Sequence, residues 1–173
     1  SSSCLVEITY TPGVAGTNLD SLEISYNNGI NSQIQTGDIT AVALDPANLS
    51  ISDGPTFDFG LLLTGFTETK TFNVSNLGGA DATLVTGSAL SAPYDWAGGT
   101  GYPGTGGTCT GTINSGDTCT IVVEYSPFST AVDTETITLN YNNAASTVSS
   151  TRDMTAQGYF PLASLTLNNP AVT

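Results

Sequence analysis

The stretch Ser115-Gly116-Asp117-Thr118-Cys119-Thr120-Ile121-Val122-Val123-Glu124-Tyr125-Ser126-Pro127 decides the fold. Ser-Gly-Asp supplies a turn, after which Cys119, Ile121, Val123 and Tyr125 fall on alternate positions. Alternate residues of an extended chain share one face, so this pattern describes a half-buried β-strand. Pro127 closes it, because proline has no N–H to give to a ladder.

The same period continues outward. Ile137, Leu139 and Tyr141 mark a second strand, and Asn142-Asn143 end it with residues that tolerate the backbone of a reversal. A polar strand follows over Val148–Gly158, of a kind that fits a sheet edge or a weakly buried face. Upstream, strands are expected near Leu49–Ser52, Thr56–Phe59, Thr67–Ser75, Ala82–Thr86 and Gly107–Ile113. Asn76-Leu77-Gly78-Gly79 breaks the chain after the third of these. No segment carries a helical period. Short strands with turn signals every few residues predict an all-β protein, an antiparallel immunoglobulin-like Greek-key sandwich.

Shifting the chain on itself by 115 residues brings its head onto its tail. Cys4 meets Cys119, Tyr10 meets Tyr125, Pro12 meets Pro127, and Tyr26-Asn27-Asn28 meets Tyr141-Asn142-Asn143. Asp38, Thr40 and Ala41 meet Asp153, Thr155 and Ala156, and Pro46 and Pro55 meet Pro161 and Pro170. A strand is therefore expected over Cys4, Val6, Ile8 and Tyr10, with Leu22, Ile24 and Tyr26 in a second and Gln33–Val42 in a third. The implied organisation is tandem repeats. Residues 1–43 form the C-terminal part of a preceding repeat, 44–159 a complete repeat, and 160–173 the start of a following one. On this reading the ends are cuts in a longer exported chain.

Fifteen acidic residues stand against Lys70 and Arg152, giving a formal charge of −13. Charged residues total 10%, against about 25% in an average soluble domain. The surface is thus mostly Thr, Ser, Asn and Gly. This negative charge disfavours phosphate backbones and anionic lipid surfaces, so neither nucleic acid nor a membrane is an expected partner. No apolar run approaches the roughly 18 residues of a membrane-spanning helix.

Cys109 and Cys119 flank the Asn114-Ser115-Gly116-Asp117 turn, which would bring their sulfurs together across a hairpin as a disulfide of an exported protein. Cys4, the repeat mate of Cys119, is either paired outside this sequence or free. With no histidine in the chain, a catalytic cysteine lacks its usual base. Three cysteines so placed also match no zinc-ligand spacing.

The run Phe72-Asn73-Val74-Ser75-Asn76-Leu77-Gly78-Gly79, then Cys109, then Ser115 to Pro127, resembles the choice-of-anchor D repeat family. These are bacterial relatives of the Hydin-type and major-sperm-protein-like immunoglobulin folds. The resemblance covers residues 44–159 once and 1–43 as a fragment. It implies tandem sandwiches in large secreted or surface-anchored bacterial proteins with stalk, adhesion or matrix roles, and it brings no catalytic motif. The long Gly-rich insert before Cys109 departs from the family pattern.

That insert, residues 94–104, holds Tyr94, the sole tryptophan Trp96, and Tyr102 among glycines. These aromatics form a candidate binding surface for a glycan or protein; the competing use is a cap over the end of the sandwich. Asp38, Asp45, Asp53 and Asp58 are weak candidates for calcium, without the spacing of an EF-hand loop. Lys70, the only lysine, has no evident carboxylate partner for an isopeptide crosslink. Asn48-Leu49-Ser50 and Asn73-Val74-Ser75 are formal glycosylation sequons.

The expectation is a non-catalytic structural or adhesive module, extracellular or on a bacterial cell surface, with neighbouring repeats or identical chains as partners. A filament subunit completed by strand addition and a glycan- or protein-binding module are the alternatives. No cofactor is expected. Without histidine, and with one lysine and one arginine, common acid–base and oxyanion arrangements are out of reach.

Overall fold

The computed structural model describes residues 3–161. Eleven strands carry the chain: β1 (Gly16–Asn27), β2 (Ser32–Ala43), β3 (Leu49–Ile51), β4 (Thr56–Leu63), β5 (Glu68–Asn76), β6 (Ala82–Gly87), β7 (Tyr94–Trp96), β8 (Thr112–Ile113), β9 (Thr118–Tyr125), β10 (Val132–Asn142) and β11 (Thr147–Tyr159). A 3₁₀ turn at Ala97–Gly99 is the only helical element among the described residues. The all-β expectation holds.

Residues 47–159 form the sandwich. One sheet has the order β4-β11-β10-β6-β8 and the other β3-β5-β9-β7. Between them Phe72, Val74, Ile121, Val123, Tyr125, Ile137, Leu139 and Met154 are almost wholly shielded from water. Their alternation on β5, β9 and β10 follows from strand period: the central inward positions are apolar and the outward ones Thr, Ser, Asn and Glu, except Val122, which the insert covers.

Four expectations change. The sheets are not purely antiparallel, because β4 runs parallel to β11. Of the two settings expected for the polar strand β11, the edge is excluded: it lies between β4 and β10 and buries Met154, Ala156 and Gly158. Its outward Thr and Ser residues disguise an inward face of small and flexible side chains. Of Gly107–Ile113 only Thr112–Ile113 pairs as strand. Residues 4–10, with the same alternation as β9, form no strand and are exposed. In the sandwich β9 pairs with β5 on one side and β7 on the other. Residues 4–10 have neither neighbour, and apolar alternation alone does not satisfy backbone N–H and C=O groups.

The head hairpin β1–β2 forms a two-stranded sheet by itself. Its register reproduces that of β10–β11 position by position at a separation of 115 residues: Asn27 faces Ser32 as Asn142 faces Thr147, and Leu22 faces Gly37 as Ile137 faces Arg152. The turns agree bond for bond. Asn27 Oδ1 accepts from Gly29 N–H, and Asn28 Oδ1 from the N–H groups of Ile30 and Asn31. Asn142 and Asn143 accept in the same way from Ala144, Ala145 and Ser146. Asparagine serves here because its short amide closes a turn over its own following N–H groups.

Burial separates the two hairpins. Leu139 is fully buried, whereas Ile24, its counterpart, is 42% exposed. Leu139→Ala is expected to destabilise the sandwich by about 2–5 kcal/mol through lost transfer energy and a residual cavity. Ile24→Ala should change it by about 0.5 kcal/mol or less. Denaturant titration followed by Trp96 fluorescence checks both, and equal effects would contradict this picture.

Candidate functional site

Tyr94 and Trp96 do not form a binding surface. Each is 2% exposed, on a strand hydrogen-bonded to β9 rather than on a loop. The Trp96 indole N–H donates to the Ser88 carbonyl at 2.9 Å, and the ring meets Tyr102 edge to face at 5.7 Å. It lies over Gly87 of β6, where any Cβ would strike the indole. Tyr94 packs tilted against Tyr125 at 4.8 Å and edge to face against Phe59 at 5.8 Å, and its hydroxyl donates to the Asp133 carbonyl. Tyr102 is half-buried, with its hydroxyl donating to Thr110 O. The insert is thus a lid over one end of the core. Its glycines fold it back: Gly104, at φ +81°, passes directly beneath the Val122 carbonyl, and Val122 N–H donates to Pro103 O.

Burial pushes the phenols of Tyr94 and Tyr125 well above their usual range. For Tyr125 the hydrogen bond its hydroxyl donates to Asp133, at 2.8 Å, adds to this. Burial also raises Tyr102, to about 12. On the acid side, burial opposes ionisation of Glu135, but the N–H groups of Thr136 and Ser91 outweigh it and hold that carboxyl below its usual value.

The two cations work at one place. Arg152 of β11 donates to the carbonyls of Ser52 at 3.0 Å, Pro55 at 2.7 Å and Ile51. Lys70 of β5 pairs with Asp53 at 3.2 Å while its ammonium rests 4.4 Å from the Phe57 ring centroid. Together they tie the 51–55 turn, which joins the two sheets, to a strand of each. Lys70 is therefore engaged with Asp53. A Ser52 hydroxyl bond and then Lys70 lower the Asp53 carboxyl below its usual value. A depressed carboxylate contributes stability above its unfolded pKa near 3.9 and loses it as pH falls through the folded value. Asp53 is 38% exposed, so solvent screening keeps this contribution small.

The calcium candidates do not converge. Asp53 faces Lys70, Asp58 accepts from Gly60 N–H, Asp45 gives its backbone carbonyl to Gly79, and Asp38 pairs opposite Ser21 in the head hairpin. No group of three or more His, Cys, Asp or Glu able to hold a metal occurs among the described residues.

Cys109 and Cys119 are joined as a disulfide with Cα atoms 4.9 Å apart, and Cys4 is a free, exposed thiol. The bridge joins Cys109 to β9 where the N–H groups of Thr108 and Cys109 both donate to Thr120 O. β8 itself pairs with β6 and not with β9, so the bridge fastens the segment entering one sheet to a strand of the other.

Sequence reasoning read Asn76 as a turn residue, but it is a buried junction. Its Oδ1 accepts from the N–H groups of Asn48 and Gly78, and its Nδ2 donates to the carbonyls of Ala80 and Ile113. All four bonds of the amide are made at 1% exposure, linking β3, the 77–80 turn and β8. An asparagine ending an apolar strand before Leu-Gly-Gly was the available signal.

The remaining unusual surface is one face of the head hairpin. Leu22, Ile24, Tyr26, Ile39, Ala41 and Ala43 lie on it, at the positions of Ile137, Leu139, Tyr141, Met154, Ala156 and Gly158, all of which are buried in the sandwich. The opposite face carries Ser21, Glu23, Ser25, Thr36, Asp38 and Thr40, with the exposed apolar residues Leu19, Ile34 and Val42 among them. Tyr10 lies against this sheet and its hydroxyl accepts from Asn18 Nδ2 at 2.6 Å, the counterpart of the Tyr125–Asp133 bond.

A family model described as HYDIN/CFA65/VesB-like, Ig-like domain matches residues 51–153. No curated protein matches the chain. Among solved structures the chain is similar to the VesB protease of Vibrio cholerae, at 16% identity and a TM-score of 0.47, over 63% of this chain and 31% of that one. It is also similar to the ASH/PapD-like domain 7 of human CEP192, at 13% identity and a TM-score of 0.49, over 67% and 88% of the two chains. A third likeness is to the secreted serine protease VesC of Vibrio cholerae, at 19% identity and a TM-score of 0.43, over 64% and 23%. The chain thus corresponds to less than a third of either protease.

Two outcomes test the site's geometry. Trp96→Ala should cost about 3–5 kcal/mol, as for other buried large aromatics; a variant of wild-type stability would mean the indole is not packed here. Tyr94 and Tyr125 favour the neutral phenol in the fold. Their contribution is therefore present below the unfolded pKa of about 10 and is lost as pH rises through the folded values. Ultraviolet titration should leave these two, among seven tyrosines, un-ionised until the sandwich unfolds in alkali.

Proposed function

The chain belongs to the HYDIN/CFA65/VesB-like immunoglobulin-like domain family, and from that premise we propose that it is a non-catalytic structural or adhesive segment of a secreted or surface-anchored bacterial protein. The specific family would be the choice-of-anchor D repeats, with 1–43 the end of one repeat, 44–159 a full one and 160–173 the start of a third. The last of these falls mostly outside the described residues.

The observation that carries this reading is the commitment of the chain's chemical groups to architecture. Arg152 and Lys70 both hold the 51–55 turn, the lone tryptophan closes the core, and two of three cysteines are bridged. A disulfide supports an oxidising compartment, and a surface of Thr, Ser and Asn with few lysines suits long exposure there. The glycan-binding reading loses its basis, since two of its three aromatics are inside.

A spacer carries load, and the bridge sets what load releases. Cys109 and Cys119 are 10 residues apart, so reduction frees a loop of about 30 Å of extended chain. Single-molecule pulling should show the sandwich unfolding in one event, lengthened by about that amount after reduction. A series of small, separate steps would contradict a load-bearing unit. An antibody against the sandwich should decorate intact source cells or bind material in their medium; reaction only after lysis would overturn the assignment to the exterior.

A further inference from the structure

We propose that Asn28 is a self-modification site, where the turn joining β1 to β2 converts its own asparagine to aspartate and isoaspartate with water as the only co-reactant. The site is independent of the spacer reading, since it needs nothing beyond the turn and solvent.

The chain builds one turn twice. In each copy the first asparagine accepts from the N–H two residues on, and the second from the N–H groups two and three residues on. The residue after the second asparagine is left-handed in both, at φ +93° for Gly29 and +77° for Ala144. At that residue the two turns differ by a single methyl group. The methyl matters, because this residue supplies the nucleophile.

The backbone nitrogen of Gly29 attacks Asn28 Cγ. A bond forms between them, the Cγ–Nδ2 bond breaks, and ammonia leaves with the proton that the nitrogen gives up. The product is a five-membered succinimide. Water then adds to one of its two carbonyls: opening at Cγ leaves aspartate, and opening at the main-chain carbonyl leaves isoaspartate. One water is consumed and one ammonia released, with no oxidant or reductant.

The turn arranges each requirement. Asn28 Oδ1 accepts from Ile30 N–H and from Asn31 N–H, both at 2.9 Å. Two donors on one amide oxygen draw charge from Cγ, and they face the negative charge that oxygen gains during attack. The Gly29 N–H donates to Asn27 Oδ1 at 2.7 Å, so its proton already points at an acceptor. An amide oxygen is a weak base, so the proton passes on to solvent and the rate rises with pH. No atom lies within 4 Å of the place a Cβ of Gly29 would take, and the whole turn is open to water. Residues 144–146 of the closed hairpin are exposed as well, so access to this turn does not depend on what covers the hairpin face.

Either product adds a negative charge to a chain already at −13. Isoaspartate also lengthens the main chain by one carbon between the paired residues Asn27 and Ser32. The change is not reversed by solvent, so the turn records the time the chain has spent in water.

The test is storage of the folded chain at neutral and at mildly alkaline pH, followed by peptide mapping with fragmentation. Position 28 should change from amide to acid and become a substrate for an isoaspartate methyltransferase, faster at the higher pH. It should react about fivefold or more faster than Asn143, reflecting the conformational freedom of glycine over alanine. Gly29→Ala should bring position 28 down to the Asn143 rate, and Ala144→Gly should raise Asn143 toward that of Asn28, with native Trp96 fluorescence in both. Modification at Asn27 or Asn31 instead overturns the inference, as does a rate at Asn28 no higher than at Asn143. A folded chain that stays unmodified while the urea-unfolded chain reacts also overturns it, because the turn would then protect Asn28. A rate independent of pH would contradict the Gly29 nitrogen as nucleophile.

Discussion

A two-stranded ribbon with one apolar face satisfies only half of its needs. Its inner backbone groups pair across the ribbon, but its outer edges and its apolar side chains still face water. In this protein the β10–β11 hairpin resolves both problems through β4, β6 and the opposing sheet, and the rest of the sandwich is arranged around that closure. Ile137, Leu139, Tyr141, Met154 and Ala156 are inside because four other segments meet over them. The head hairpin shows the same local solution without the closure. Local sequence builds the ribbon, and long-range pairing decides whether its face is core or surface.

Polar groups maintain the closure at a few fixed places. The Asn76 amide joins β3, β8 and the turn after β5 with four hydrogen bonds, and removing one partner would leave buried groups unpaired. Arg152 reaches three carbonyls of the turn that carries the chain from one sheet to the other. Its counterpart in the head hairpin is Gly37, so the two hairpins, identical in register, differ in the device that would fasten a crossing turn. In a chain with two cations, both serve as fasteners of the 51–55 turn.

Much of this was legible in the residues because a strand's period names its inward face. β5, β9 and β10 announce themselves through Phe72 and Val74, Ile121 and Val123, Ile137 and Leu139. The match of Tyr26-Asn27-Asn28 to Tyr141-Asn142-Asn143 extends to every turn bond. Periodicity is silent about neighbours, however. Residues 4–10 alternate as well as β9 does and still form no strand, and β11 looks like an edge although it lies inside its sheet. The aromatic insert left two uses open, a binding surface or a cap, and the positive φ values of Gly98, Gly101 and Gly104 turn it back as the cap over the core. The four aspartates in one stretch that suggested calcium have different partners, because two strands, a connecting segment and a turn carry them.

The account stands on the claim that one hairpin is present twice, closed in one setting and open in the other. Native-state amide hydrogen exchange on the complete chain measures this directly, residue by residue. The β10 and β11 amides should exchange only with global unfolding of the sandwich, while their register counterparts in β1 and β2 exchange through local opening, faster by several orders of magnitude. Equal protection of the two hairpins would contradict it.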